Sequence, residues 1–283
     1  MTKSIDSLAV LVTGGAGYIG SHAVLALRDQ GFKTIVIDNL TTGFRWAVPE
    51  DVPLVVADIG DFAAVSRTIR QHDVRAILHF AGSVVVPESV ENPLKYYANN
   101  TANSRTLIES AVTNGVQHII FSSTAATYGI PGHVPVAEDA PKQPINPYGM
   151  SKLMTEQMLA DVAMAHPINY CALRYFNVAG ADPKGRTGQS TAGATHLIKV
   201  AVEAALGKRD HVSVYGTDYD TPDGTGVRDY IHVSDLADAH VLALSALIEA
   251  PKECLTLNCG YGRGFSVTEV LDAVDRVAGV KIN

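Results

Sequence analysis

The chain has 283 residues, 47% of them apolar and 18% charged, enough to bury a full core in one or two domains of ordinary size. A formal net charge of -7 with no Lys/Arg block argues against nucleic acid or an anionic membrane surface as the main partner, so any bound phosphate has to be held locally. Cys171, Cys254 and Cys259 show no metal-ligand spacing and cannot all pair, which points to a reducing cytoplasm and to no metal site.

In chain order, Met1 to Ser7 is polar and carries no secretory leader pattern. Leu8 to Val12, Thr34 to Ile37, Leu54 to Val56, Ala76 to Phe80, His118 to Phe121 and Ile168 to Leu173 read as buried strands. Between them Tyr18 to Gln30, Phe62 to Gln71, Leu94 to Asn114 and Tyr148 to Ala165 read as helices. That alternation predicts an α/β fold, a Rossmann-type doubly wound parallel sheet, over residues 1–176. From Asn177 to Gly226 the pattern weakens around a helix, Ala194 to Leu206, and a short strand, His211 to Tyr215, as expected of a smaller substrate-binding lobe within 177–283. Helices at Ser234 to Ile248 and Val267 to Ala278, with a strand at Cys254 to Leu257, predict that 233–260 returns to the main sheet. Ala239 to Ala250 is apolar but too short to span a bilayer.

The first strand runs into Thr13-Gly14-Gly15-Ala16-Gly17-Tyr18-Ile19-Gly20 and then into a helix. Gly14 and Gly17 allow a tight turn and a close approach to a pyrophosphate, Gly20 lets helix and strand pack, and the helix start offers unpaired N–H groups. Asp38 ends the second strand about 20 residues on, where a carboxylate accepts from ribose hydroxyls and repels a 2′-phosphate, which favours NAD over NADP. Asp58 follows the third strand and suits either the adenine amino group or a helix N-cap.

Tyr148 and Lys152 stand four residues apart at the start of one helix, on one face. A cation about 4 Å from a phenol contributes about 4 kcal/mol at an effective dielectric near 20, so Lys152 together with an oxidised nicotinamide is expected to poise Tyr148 as a base near neutral pH. By itself such a pair is ordinary helix surface; the glycine turn upstream raises its meaning. Thr124, in Phe121 to Gly129, emerges at the C-terminal end of a strand, where ligands bind in such sheets, and suits a sugar hydroxyl or a turn cap.

These residues resemble the extended short-chain dehydrogenase/reductases, and among them the UDP-glucose 4-epimerases, over essentially the whole chain. The carriers are Thr13 to His22, Asp38-Asn39-Leu40, His79 to Gly82, Glu88-Ser89-Val90, Asn146 to Lys152, Arg174 to Asn177 and Asp223 to His232. The resemblance implies an isomerase of galactose metabolism, a cytoplasmic homodimer joined through Leu94 to Asn114 and Tyr148 to Ala165. It implies that Tyr18, Ile19, Asp38, Asn39, Asp58, Ile59, Phe80, Ala81, Gly82, Asn99 and Phe176 contact NAD, with Thr124, Tyr148 and Lys152 catalytic. It further implies that Asn177 and Arg228 hold the UDP phosphates and that Leu197, Ser213 and Tyr215 flank the uracil. His196 stands where many members have an asparagine beside the nucleotide, and Val84 where well-known members carry a lysine near the cofactor. Family chains continue for about another fifty residues, so the C-terminal end of the family fold is expected to be absent here.

Three alternatives stay open. A 4,6-dehydratase shares the fold but needs an Asp-Glu pair where Ala125 and Ala126 stand. An epimerase of another UDP-sugar, a pentose, uronate or N-acetylhexosamine, fits the same motifs. So does a truncated nucleotide binder without turnover.

Overall fold

Strands without a polar face need cover on both sides, and the helices between them supply it. The structure, a computed structural model, describes residues 8–191 and 193–283; Met1 to Ser7 lies outside them. A central sheet forms from β1 (Ala9–Thr13), β2 (Lys33–Asp38), β3 (Leu54–Val56), β4 (Val74–His79), β5 (His118–Ser122), β6 (Asn169–Tyr175) and β9 (Leu255–Cys259). Its order is β3-β2-β1-β4-β5-β6-β9, and every pairing is parallel. The sheet is Rossmann-like, and its strand positions follow the sequence expectation within one to two residues.

Side chains of β1 alternate between two cores. Val10 and Val12 face α1 (Tyr18–Asp29) and α8 (Val233–Glu249), packing with Val24, Leu27, Leu244 and Leu247. Ala9 and Leu11 face α2 (Phe62–His72), α5 (Asn103–Thr113) and α6 (Pro147–Ala165), packing with Ile69, Leu107 and Leu159. Register places Thr13 opposite Ile37 and His79, and Ser122 opposite Leu173, so the polar strand ends share the C-terminal edge of the sheet.

A second, three-stranded sheet lies beyond. In it β8 (Val227–His232) pairs parallel with β7 (Asn177–Ala179) and antiparallel with β10 (Gly264–Ser266). Two of these strands have three residues each, too short for any periodicity to register. α7 (Leu197–Ala205) starts later than the predicted Ala194, and α9 (Val267–Ala278) opens on a capping box between Ser266 and Glu269. Short α3 (Val86–Glu91) was not anticipated. No helix among the described residues is long and apolar enough to cross a membrane.

Two expectations fail locally. The helix predicted over Leu94 to Asn114 is α4 (Pro93–Tyr96), a π-helical stretch (Tyr97–Ala102) and α5. In the π-helical stretch the Asn100 carbonyl accepts the hydroxyls of Ser104 and Thr155, at 2.5 and 3.3 Å, partners that hydrophobic spacing does not encode. The strand predicted over His211 to Tyr215 is a loop, because alternation makes a strand only where a neighbour supplies a ladder. Here Val212 N donates to Asn283 O, at 2.8 Å.

The end of α8 is tied to the sheet by Asn169, buried at the start of β6. Its amide donates to Leu247 O (3.1 Å) and Ala250 O (3.3 Å), while its carbonyl pairs with His118 Nδ1 (2.7 Å). Asn169→Leu leaves His118 and two helix carbonyls without this partner. It is expected to cost about 1–3 kcal/mol, read as a lower urea midpoint.

Candidate active site

Between β1 and α1 the chain turns through Gly14 to Gly17. Gly14 has φ 71°, and a Cβ there would lie 2.7 Å from Ala81 N. A Cβ on Gly20 would lie 2.1 Å from the Gly14 carbonyl oxygen, so helix and turn touch backbone to backbone. Gly17, the N-cap of α1, brings no capping side chain, which leaves first-turn amides for an anion. Asp38, 8% exposed, accepts Ala16 N (3.0 Å) and Leu40 N (2.8 Å), one bond per oxygen, and keeps lone pairs for ribose hydroxyls. The turn, the uncapped helix and the carboxylate fit a dinucleotide such as NAD.

Asp58 is not the N-cap of α2; Asp61 takes that place, accepting Ala64 N. Asp58 instead accepts Asn39 Nδ2 (3.0 Å), Gly60 N (2.8 Å) and Asn103 Nδ2 (2.9 Å), which fixes Asn39 beside it. Ile59 is buried in the sheet core. Phe80, Ala81 and Gly82 leave β4 on the other side of Gly14; Phe80 stacks on buried His240, with centroids 4.6 Å apart. Asn99 donates to Ser83 Oγ at 2.9 Å. Tyr18 donates from its hydroxyl to Gly180 O (2.7 Å), and with Ile19 it packs on the cluster of Val178 and Ile231. Phe176 lies against Gly260.

Helix α6 is capped by Asn146, whose side chain accepts Gly149 N at 2.8 Å, with Pro147 in the first turn. Tyr148 and Lys152 are both buried, 9% and 4% exposed. The Lys152 ammonium donates to Ser122 O at 2.9 Å and lies 4.9 Å from the centre of the Phe121 ring. Burial pulls its pKa down to about 8, with Glu156 opposing. Burial raises Tyr148 above the usual phenol value, and a hydrogen bond with Thr124 opposes. The expected depression of Tyr148 by Lys152 therefore does not appear in the protein alone, where desolvation is the larger influence; the ammonium gives one of its three donors to the Ser122 carbonyl. Thr124 also accepts Ala126 N at 3.1 Å, so its turn-capping and site-facing roles coexist.

Several polar partners escaped the sequence reading. Thr13 Oγ1 meets His79 Nδ1 (2.7 Å), whose Nε2 meets Ser104 Oγ (2.8 Å), and burial holds this histidine neutral, near 3. Asn100 bridges the strand end and α6, accepting Ser83 N (2.7 Å) and donating to Ser151 Oγ (3.1 Å). Tyr175 and Ser122 share a short hydroxyl contact. Glu156 and Arg174 form a buried pair. Glu156 had a spacing signal, four residues past Lys152 on one helix face, and Thr13, His79 and Arg174 stand in the motifs that carry the resemblance, which do not say what they bond.

Of the residues expected to hold substrate, Asn177, His196 and Leu197 line one cavity of about 380 Å³ together with Lys199 and Tyr230. Ser213 and Tyr215 do not line it; both are exposed on the loop that replaces the predicted strand. Arg228 is exposed on β8, outside that cavity, and donates to Val227 O at 2.7 Å. Its mount is rigid: Asp229 accepts Tyr261 N (3.2 Å) and Gly262 N (2.8 Å), and Asp223 accepts Thr225 N (2.9 Å) and Ser266 Oγ (2.5 Å).

A turn, a carboxylate and a tyrosine-lysine helix in this arrangement recur in known proteins. The chain is 60% identical over 280 residues to a UDP-glucose 4-epimerase of Azospirillum brasilense, covering 99% of this chain and 80% of that one. A UDP-glucose 4-epimerase of Rhizobium meliloti (strain 1021) is 47% identical over 273 residues, 95% of this chain and 81% of the other. The crystal structure of UDP-glucose 4-epimerase from Brucella ovis in complex with NAD superposes with a TM-score of 0.92 at 48% identity, over 95% of this chain and 82% of that one. That from Bifidobacterium longum in complex with NAD+ and UDP gives 0.91 at 40%, over 97% and 84%. The profile of the NAD dependent epimerase/dehydratase family matches residues 10–260, from the first strand through the glycine turn and α6 to β9, and the chain belongs to that family.

Proposed function

We propose that the chain inverts C4 of a UDP-hexose, interconverting UDP-glucose and UDP-galactose through a transient 4-keto sugar. The observation that carries this reading is the buried trio of Thr124, Tyr148 and Lys152 at the C-terminal edge of a sheet whose first turn fits a dinucleotide. When bound, NAD supplies the hydride acceptor and a ring charge that favours the phenolate.

Tyr148 takes the proton from the sugar 4′-hydroxyl and later returns it. Thr124 orders that hydroxyl and shortens the proton path. Lys152 holds positive charge beside the phenol. Gly14, Gly17, Gly20 and the start of α1 hold the pyrophosphate of the cofactor, and Asp38 its ribose. Asn177 and Arg228 grip the UDP phosphates, a guanidinium fork suiting phosphate oxygens, while the keto sugar turns over and presents its other face. Ala125 and Ala126 follow Thr124, so the carboxylates that a dehydratase needs to eliminate water are not supplied there.

Residues 1–176 form the cofactor half in this reading and 177–283 mostly the substrate half, with β9 adding to the main sheet. Free Cys171, Cys254 and Cys259 suit a reducing cytoplasm. Two copies pair through a mostly apolar groove between the π-helical stretch, α5 and α6, lined by Tyr97, Thr101, Ala102, Arg105, Met154 and Met158. Sedimentation of the NAD-loaded protein should then give a dimer, and Met154→Glu a monomer; a monomeric wild type rejects the pairing.

Tyr148→Phe removes the proton acceptor, and turnover of UDP-galactose to UDP-glucose should fall by about 10²–10⁴-fold. Near-wild-type turnover would overturn the assignment. Lys152 keeps its proton below about pH 8 and loses it above. Activity that needs the ammonium should therefore decline as pH rises through that value, seen in a kcat profile; a profile flat across that range contradicts the role of Lys152.

A further inference from the structure

Glu156 takes no part in the chemistry above, yet it sits one helical turn beyond Lys152 on the same face of α6. Its side chain is 7% exposed and that of Arg174 is 1% exposed. Arg174 grips it with two parallel bonds, Nε to Oε1 at 2.9 Å and Nη2 to Oε2 at 2.6 Å. Ser123 Oγ donates a third, to Oε1 at 2.5 Å. Lys152 and Glu156 thus hold consecutive residues of one strand end, the carbonyl of Ser122 and the hydroxyl of Ser123, and the next residue is Thr124. Arg174 is anchored in turn, its Nη1 donating to Tyr128 Oη (2.8 Å) and Glu138 O (3.2 Å).

We propose that Glu156, locked by Arg174, is a positioning residue for the reaction proposed above, on which this inference rests: it fixes the strand end that carries Thr124 and keeps an anion behind the Lys152 ammonium. A buried ammonium is stable in its charged form only with compensating negative charge or dipoles nearby. The groups around it are Glu156 and Tyr148 from α6, Phe121 and Ser122 from β5, Tyr175 from β6 through Ser122, His79 from β4, and the Arg174 cation of β6 through Glu156. His79, held near 3 by burial, is neutral at working pH, and without the cofactor the two phenols are raised by burial and stay protonated, so there Glu156 is the negative group among them. Taking that carboxylate away removes what favours the charged lysine. Lys152 then gives up its proton at a lower pH.

The test titrates NAD-loaded Tyr148→Phe protein, which keeps the phenol out of the charge balance, with Lys152 followed by NMR in ¹³C-lysine-labelled samples, its resonance assigned through Lys152→Arg. Glu156→Gln alone strands the Arg174 charge and endangers folding, so Glu156→Gln with Arg174→Met, which removes both charges at similar volume, is measured beside it. The titration midpoint of Lys152 should fall by about half a pH unit in the double variant, less than in Glu156→Gln, because the Arg174 cation leaves with the carboxylate. With Tyr148 in place, the alkaline limb of kcat for UDP-galactose should shift with it, and kcat near neutral pH should drop about tenfold with KM little changed. An unmoved midpoint in the folded double variant, or a loss of kcat that only follows the loss of folded protein, overturns the proposal. A wild type inert toward UDP-galactose would reject the reaction while leaving the Lys152 titration to decide the role of Glu156.

Discussion

For a phenol, an ammonium and a hydroxyl to share one pocket, helix α6 has to lie almost in contact with the chain that leaves β5. Gly149, between Tyr148 and Lys152, permits that approach: a Cβ there would sit 2.6 Å from the Ala126 carbonyl oxygen. Real side chains do not tolerate such a distance from backbone, so any larger residue pushes the helix outward. Tyr148 would then part from Thr124, and Lys152 from Ser122. The Asn146 cap and Pro147 set where the helix starts, and Gly149 sets how close it comes.

The closeness has an electrostatic consequence. Tyr148, Lys152, His79, Glu156 and Arg174 are all withdrawn from water, and each would be costly without a partner. The protein answers with a connected network in which serine and threonine hydroxyls and the strand-end carbonyl of Ser122 take many of the bonds. Neutral His79 can sit near Lys152 because burial has already removed its charge. The same withdrawal leaves Tyr148 protonated in the protein alone, so the positive charge that would ionise it has to arrive with the cofactor.

What could be read in advance follows from how each signal is encoded. Strands such as Val10–Val12 and Ile35–Ile37 are buried on both faces, and their apolar runs announce them. The glycine turn and the Tyr148–Lys152 spacing are local patterns and were equally visible. Thr13, His79 and Ser104 are 66 and 25 residues apart, so their chain of bonds leaves no mark in any window. β7 and β10 are three residues long and are defined by what pairs with β8. Ser213 and Tyr215 were placed by resemblance, and the folded segment leaves them exposed because no neighbouring strand holds it.

The run Asp223 to His232 shows how a strong sequence signature divides its labour. Asp223 braces Thr225 and the cap of α9, and Asp229 holds the turn at Tyr261 and Gly262, so both carboxylates are spent on the protein itself. Tyr230 lines the cavity that Asn177 and Leu197 share. Arg228 is left as the cation facing outward between two braced neighbours, its guanidinium bonded to one backbone oxygen. Its guanidinium keeps donors free, because the Val227 carbonyl uses only one of the five. A rigid strand carrying a guanidinium with free donors can capture a diphosphate without first ordering a loop, so less entropy is lost when the anion binds. The run thus serves mostly as scaffolding, and Arg228 is the residue in it that keeps a cation with free donors.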